Sequence, residues 1–129
     1  MKDNIFRGRR PDGVWVEGYY FAKPILNKHF ILCGENQWLV EPETVGQYSG
    51  LEDKNGDRVY EGDLIKSKGD IVWLVAFERN SYVCKDATMR TYFALWEQWE
   101  YDLKNNKPVS PSEYFEVVGN IYDNPELLT

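Results

Sequence analysis

Hydrophobic and polar residues alternate with a period of two along most of the chain, and turn-forming residues interrupt the alternation at short intervals. Alternating apolar positions bounded by Gly, Pro, Asn and Asp are typical of β-strands joined by tight turns. The pattern predicts strands at residues 5–9, 14–17, 29–32, 37–40, 64–66, 71–77, 81–84 and 114–119. Many short strands with frequent turns favour a mainly β fold: a small barrel or a strongly curled antiparallel sheet, with one or two short helical turns.

The turns predict which strands are neighbours. Pro11 presets φ and Gly13 accepts a positive φ, so these residues should close a hairpin between the first two strands. Residues 34–36 should form a second hairpin between the third and fourth strands. Asn55 and Gly56 form the dipeptide most typical of a two-residue hairpin, since a type I′ turn needs a positive φ at both central positions. We therefore expect a type I′ turn there.

Some segments depart from the simple alternation. Residues 71–77 are almost continuously apolar, which indicates a strand covered on both faces. Residues 91–103 fit a strand or a helix, because their large apolar side chains also fall near one helical face. We expect a strand as far as Leu95, paired with the strand before it, and then a helical turn. A polar loop is expected at 104–112 and a terminal helical turn at 124–128.

Length and composition place the chain among ordinary globular domains. Its 129 residues fit one domain, predicted to span residues 1–129, and can bury a core without disulfides or metals. Hydrophobic residues make up 43% and aromatic residues 16%. The high aromatic content agrees with a β fold and with a contact surface, because aromatic side chains are enriched in both.

The charge balance is acidic, with 15 Lys and Arg against 21 Asp and Glu and a formal net charge of −6. This balance disfavours generic binding to nucleic-acid phosphates. The N-terminus departs from it, because Arg7, Arg9 and Arg10 lie close together with Trp15 nearby. We interpret these arginines first as charges on an edge strand that prevent sheet-to-sheet aggregation. The alternative is a basic and aromatic patch on which a single-stranded nucleic acid could bind.

The sequence lacks the features expected of a secreted or membrane protein. Cys33 and Cys84 lie far apart and form no Cys-x-x-Cys pattern, so they are predicted to be free, semi-buried thiols. The first ten residues contain no apolar run typical of a signal peptide, and no apolar run approaches the ~20 residues needed to cross a bilayer. We therefore expect a cytoplasmic protein.

No cofactor or metal is expected. Asp53, Asn55 and Asp57 have the spacing that begins an EF-hand calcium loop, but the loop does not continue. Arg58 stands where the loop needs Gly, and Leu64 stands where it needs the bidentate Glu. A single histidine and two dispersed cysteines are too few for a typical four-ligand zinc site.

No catalytic residue is expected either, and the chain is predicted not to be an enzyme. A hydrolytic triad needs a nucleophile, a base and an orienting acid, yet His29 is the only imidazole and no G-x-S-x-G motif is present. Glu61 and Asp63 are the best candidates for a pair of catalytic carboxylates. The preferred interpretation is that they accept backbone N–H groups and fix a reversal of the chain.

Large aromatic residues are concentrated near residue 100. If this segment is amphipathic and partly exposed, Tyr92, Trp96, Trp99 and Tyr101 would form a contact surface. Equally, Trp96 and Trp99 could close one end of the core, because an interface and a core edge use the same residue types. Both interpretations stay open.

Two stretches resemble the signatures of a known family. The first is EPETVGQYSGL at 41–51, with DKNG at 53–56 and VYEGDLI at 59–65, and the second is FEVVGNIYDNPELL at 115–128. In this order and spacing they resemble the central and C-terminal signatures of the YopX family, whose members are encoded by bacteriophages, prophages and related mobile elements. The resemblance implies a mainly β fold and no agreed activity or catalytic residues. Residues 86–112 match nothing in these signatures, so a function specific to this chain could lie there.

We interpret the polar and glycine residues of the central signature as scaffolding that bends the backbone and holds no ligand. The residues concerned are Gly46, Gly50, Asn55, Gly56, Glu61, Gly62 and Asp63. The leading functional hypothesis is therefore a phage- or mobile-element-encoded, non-enzymatic protein that acts through contacts with itself or with another protein. The second is a nucleic-acid-associated accessory protein that uses the N-terminal patch. An enzyme with hidden carboxylates is the least favoured.

Overall fold

The computed structural model describes residues 5–67, 70–94, 100–109 and 115–128. The β-strands in these ranges are β1 (Phe6–Arg9), β2 (Trp15–Lys23), β3 (Lys28–Cys33), β4 (Asn36–Val40), β5 (Gly46–Glu52), β6 (Arg58–Tyr60), β7 (Asp63–Lys66), β8 (Val72–Glu78), β9 (Ser81–Lys85), β10 (Thr91–Ala94), β11 (Glu100–Asp102), β12 (Lys107–Val109) and β13 (Glu116–Asn120). Short 3₁₀ turns lie at Pro24–Leu26, Pro42–Thr44 and Pro125–Leu127. The mainly β class and the terminal helical turn are thus confirmed.

The chain divides into two compact units, Met1–Tyr48 and Ser49–Thr129, and β5 crosses the boundary between them. In the N-terminal unit the strand order is β4-β3-β2-β1, followed by the first residues of β5. All of these neighbours are antiparallel. Single-domain organisation and a closed or strongly curled sheet both stay predictions.

The N-terminal unit buries one face of its sheet. Ile31 is fully buried and Val40 is 2% exposed. Gly8 is required here, because a Cβ atom at that position would lie 2.9 Å from Cβ of Val40. On the same face the Tyr20 hydroxyl lies 2.6 Å from Nδ1 of His29, and the two rings are stacked. Any larger residue at Gly8 would therefore separate β1 from the end of β4.

The C-terminal unit contains a five-stranded antiparallel sheet in the order β10-β9-β8-β7-β13. A separate two-stranded ladder joins β11 and β12. The second half of β5 lies beside β6. The buried core of this unit consists of Val59, Ile65, Val75, Cys84 and Phe115. Its members come from five stretches of sequence, so the core forms only when β6, β7, β8, β9 and the residue before β13 are assembled.

The predicted hairpins at 10–13 and 34–36 and the strand at 71–77 are confirmed. The predicted type I′ turn at Asn55-Gly56 is wrong. Gly56 has φ 84°, but Asn55 is not among the residues with positive φ. Instead, both central residues of the turn between β8 and β9 have positive φ, 51° at Arg79 and 63° at Asn80. Two residues without a Gly therefore adopt the type I′ pattern, while the more typical dipeptide belongs to a longer turn.

Two further segments were predicted only partially. The strand ending near Leu95 is confirmed as β10, which pairs with β9 as expected. The helical turn expected after it lies outside the described residues. The loop expected at 104–112 is confirmed at 104–106, where the chain turns, but it is wrong at 107–109, because Lys107–Val109 forms β12 and pairs with β11. This strand carries Pro108, whose missing N–H is tolerated in an edge strand, and that Pro is what made the segment resemble a loop.

Candidate functional site

Asp53 is a buried carboxylate, 3% exposed, whose two oxygens accept three backbone N–H groups. Oδ1 accepts from Asn55 at 2.9 Å and from Asp57 at 2.8 Å, and Oδ2 accepts from Val117 at 2.9 Å. The first two bonds hold the turn between β5 and β6, and the third ties that turn to β13. A carboxylate used in this way is a structural acceptor, because its lone pairs already point at fixed backbone donors.

Asp63 has a comparable role in the next turn of the chain. It is 1% exposed, and its Oδ2 accepts the N–H of Tyr60 at 2.7 Å across a tight reversal. Gly62 in this reversal has φ 95°, and a Cβ atom there would lie 3.0 Å from Cε2 of Tyr122. The geometry and the close contact together require Gly at this position.

Glu61, which lies between Tyr60 and Gly62 in the same reversal, influences a neighbouring aromatic residue. Its charge acts on Tyr82, where burial first and the Glu61 carboxylate second raise the pKa of the phenol to about 12. Tyr82 packs against the core of the C-terminal unit and forms a tilted pair with Phe77 at 4.7 Å between ring centroids.

The other signature residues lie on or beside β5. Gly46 is buried at its start, opposite Arg7 of β1, and Gly50 has φ 88° inside the strand. Asn55 and Gly56 are exposed in the turn that follows. In the stretches that the structure describes, no group of three His, Cys, Asp or Glu residues is placed to hold a metal ion.

The N-terminal arginines stack on two different tryptophans. Arg7 lies over the Trp15 ring at 4.7 Å, and Arg9 lies 6.0 Å from the same ring. Arg10 instead lies over Trp38 at 4.4 Å. The structure therefore brings three members of the predicted patch together and places Arg10 against a tryptophan that the prediction did not include.

Two of these arginines are also ion-paired. Nε of Arg9 lies 2.7 Å from Oε1 of Glu41, and Arg10 lies 2.6 Å from Asp12. Thr44, fully buried, accepts the backbone N–H of Arg9 at 2.9 Å and donates to the carbonyl of Glu41 at 2.6 Å. These contacts give Arg9 a role in holding the end of β1 to the segment after β4. The prediction that these arginines lie on an edge strand is wrong, because β1 pairs with β2 on one side and β5 on the other.

The predicted aromatic surface is largely beyond the described residues. Trp96 and Trp99 lie outside them. The backbone places Tyr92 in β10 and Tyr101 in β11. A contact surface formed by these four residues stays a prediction.

A second aromatic surface was missed by sequence reasoning. We call it the outer face; it is the side of β2–β4 opposite the buried Ile31, and its members are Tyr19, Phe21, Phe30, Leu32 and Leu39. Tyr19 is 58% exposed and Leu39 38% exposed. Phe21 and Phe30 face each other across β2 and β3, stacked at 5.3 Å. The period-two spacing in each strand carried this signal, but the pairing of three strands was needed to bring the residues together.

The connection between β2 and β3 extends this apolar surface. We call residues 23–28 the hairpin tip. Ile25 is 99% exposed and Leu26 is 58% exposed. Lys23 and Lys28 lie directly opposite each other at its base, and Nζ of Lys23 lies 5.1 Å from the Phe30 ring. In the sequence this tip is visible as two adjacent aliphatic residues flanked by lysines. The alternation pattern does not identify it, because it lies between two predicted strands.

Comparison with models of protein families matches residues 16–129 to the model described as YopX protein. The chain belongs to the YopX family. A comparison with curated proteins finds no match. The segment that matches the YopX model contains the outer face, the hairpin tip and both buried aspartates. It begins after β1, so the arginines at 7, 9 and 10 and Trp15 lie before it.

Two further observations bear on the environment of this YopX family member. Within the described ranges, no helix has the length and apolar composition that crossing a bilayer requires. Cys33 is exposed and Cys84 is buried, and both are free. Burial raises the pKa of the Cys84 thiol to about 12, so it is a packing residue of the core rather than a nucleophile.

Proposed function

We propose that this YopX family member is a non-enzymatic protein that acts by binding proteins, including copies of itself, through the outer face of its N-terminal unit. The observation that carries the proposal is the run of aromatic and aliphatic side chains across three adjacent strands, with Tyr19 58% exposed at one end and Leu39 38% exposed at the other. Interfaces are enriched in aromatic side chains, which bury a large area with few rotatable bonds.

The buried carboxylates support a binding role over a catalytic one. Asp53 and Asp63 accept backbone N–H groups, so they stabilise the fold and are poorly placed for proton transfer to a substrate. The proposal also includes a phage- or mobile-element-encoded origin, which the family resemblance implies, and action in the cytoplasm, which fits the free thiols.

A nucleic-acid-associated role is the second candidate. It is favoured by the distribution of charge, since residues 1–48 carry six basic and six acidic side chains and the acidic excess lies in residues 49–129. It is weakened by the pairing of Arg9 with Glu41 and of Arg10 with Asp12, which a phosphate would have to replace. A gel shift with single-stranded DNA and RNA at several salt concentrations separates this candidate from the first.

Site-specific photo-cross-linking tests the proposed function. The photoreactive residue p-benzoylphenylalanine replaces Tyr19 in the outer face or Leu103, which is 85% exposed in the C-terminal unit, as a matched control. A third probe at Tyr101 tests the predicted aromatic surface. We expect discrete protein adducts from position 19 in producing cells and none from position 103. Identical adduct patterns at 19 and 103, or no adducts at 19 and 101, would contradict protein binding through these surfaces.

A further inference from the structure

We propose that the hairpin tip, residues 23–28, is a self-association element that docks on the surface around Phe77 and Tyr82 in the acidic C-terminal unit of a second copy of the chain. The inference rests on the proposed function and names both its contact element and its partner. Three properties of the hairpin tip carry it: exposed aliphatic side chains, a fixed backbone and an unfavourable pair of like charges.

The aliphatic side chains at the tip are largely exposed to solvent. Ile25 is 99% exposed and Leu26 is 58% exposed. A single exposed aliphatic residue is ordinary on a protein surface, but two adjacent ones at the apex of a hairpin form a projecting apolar patch. Burial of both against a partner would remove this surface from water.

The backbone of the hairpin tip is already ordered. Pro24 begins a 3₁₀ turn, Asn27 ends it with φ 52°, and the N–H of Asn27 donates to the carbonyl of Pro24 at 3.0 Å. A contact element that is fixed before binding loses little conformational entropy when its partner arrives. The fold therefore presents Ile25 and Leu26 in a preorganised arrangement.

The lysines at the base of the tip point to an acidic partner. Lys23 and Lys28 are directly opposite each other in the register of β2 and β3, and like charges in such positions are destabilising. Among the residues that the structure describes, neither lysine forms an ion pair. A carboxylate-rich surface would relieve this repulsion at the same moment as it covers the aliphatic side chains.

The C-terminal unit of the chain has the complementary net charge. Residues 49–129 carry nine basic and fifteen acidic side chains, whereas residues 1–48 are balanced. In the C-terminal unit, Phe77 is 38% exposed and stacks at an angle against Tyr82, whose surroundings include the Glu61 carboxylate. The aromatic pair would contact the aliphatic side chains of the tip, and the nearby carboxylate would face the two lysines. A second copy of the chain supplies this surface wherever the first copy is present.

Sedimentation velocity over a range of protein concentrations tests the inference. The tip is changed in two ways, by Lys23→Glu with Lys28→Glu and by Ile25→Ser with Leu26→Ser. Phe77→Ala changes the receiving surface. The matched control is Val14→Ser, which alters an exposed aliphatic residue of the N-terminal unit outside the tip. All residues of the tip are exposed, so the tip variants should melt close to the wild type.

We expect the wild type to form dimers or larger species as its concentration rises. Each tip variant should weaken this association by about tenfold or more, and the control should not. Raising NaCl from about 0.1 M to about 1 M should also weaken it, because screening shortens the Debye length from about 10 Å to about 3 Å. A wild type that stays monomeric throughout, or association that the tip variants leave unchanged, overturns the inference. If the wild type is monomeric while Tyr19 still cross-links to other proteins, the proposed function survives and only the self-association fails.

Discussion

Two turns of the C-terminal unit have nearly the same local geometry and very different surroundings. In residues 53–57 and in residues 86–90, an aspartate opens the turn and its Oδ1 accepts the N–H groups two and four residues later. Both turns are closed by backbone bonds between their first and fifth residues, and both have a positive φ at the fourth. The second oxygen differs, because in Asp53 it reaches Val117, 64 residues away.

The two aspartates therefore differ in the range of their hydrogen bonds. Oδ1 of Asp86 binds Thr88 and Arg90 within its own hairpin, and these bonds are exposed to water. Asp53 is 3% exposed and connects the turn before β6 to the strand β13. The backbone N–H of Lys54 adds a second link to β13 through the carbonyl of Phe115 at 3.0 Å. The same short motif can therefore shape one hairpin or fasten two distant segments of the chain.

The largest expected effect is that of Asp53→Ala. The substitution removes three hydrogen bonds and leaves the Val117 N–H without its acceptor, so we expect a loss of about 3 kcal/mol in the free energy of unfolding. Chemical denaturation followed by tryptophan fluorescence measures it. Asp53→Asn serves as a graded control. Its amide oxygen can still accept the N–H groups of the turn, but its NH₂ group replaces the oxygen that accepts the Val117 N–H. A loss below about 1 kcal/mol for the alanine variant would show that the long-range bond contributes little.

Sequence reasoning recognised the first of these turns as a turn but assigned it the wrong type. The rule for Asn-Gly considers the two central residues, whereas the Asp53 carboxylate two positions earlier selects a longer turn by accepting two N–H groups. Conversely, Arg79-Asn80 adopts positive φ at both positions without Gly, because the strands β8 and β9 on either side impose the hairpin. Local propensity predicts that the chain turns, and tertiary pairing decides how.

The candidate surfaces also differ in whether local sequence or tertiary pairing determines them. Strand positions were largely predictable, because each follows from the alternation within a few residues. The outer face was not, since Tyr19, Phe30 and Leu39 become neighbours only through the pairing of three strands. The net charge of −6 is also unevenly distributed: residues 1–48 carry equal numbers of basic and acidic side chains, and the acidic excess lies in residues 49–129. Only the structure shows that these two segments correspond to compact units.

The next largest effect is expected from Gly56→Ala. Gly56 has φ 84° and a Cβ there would meet nothing within 4 Å, so the cost is purely conformational, about 1 to 2 kcal/mol. Gly13→Ala is the matched control in the N-terminal unit, because Gly13 has φ 91° in a turn of the same length and equally open space. Thermal melting of the two variants should give similar losses. A much larger loss at Gly56 would mean that the strain is transmitted to the Asp53 bonds.

A smaller effect is expected from Asp86→Ala. The N–H groups of Thr88 and Arg90 that lose their acceptor are exposed and can bind water, so we expect a loss of about 1 kcal/mol. Asp53→Ala is measured under the same denaturation conditions, so that the losses from an exposed and a buried carboxylate can be compared. If Asp53→Ala and Asp86→Ala lower the free energy of unfolding equally, the bond from Asp53 to Val117 contributes nothing beyond the turn itself.

The smallest expected effect has the opposite sign. Met89 occupies the position in the second turn that Gly56 occupies in the first, and it has φ 65° with 52% of its surface exposed. Met89→Gly relieves the strain of a left-handed conformation but increases the freedom of the unfolded chain, so we expect a net gain of about 0.5 kcal/mol in the free energy of unfolding. Because an exposed Met contributes little packing, the balance depends on backbone terms alone. A loss of stability in Met89→Gly would indicate that this methionine packs against a neighbour in the folded protein, and the second turn would then no longer be a purely local device.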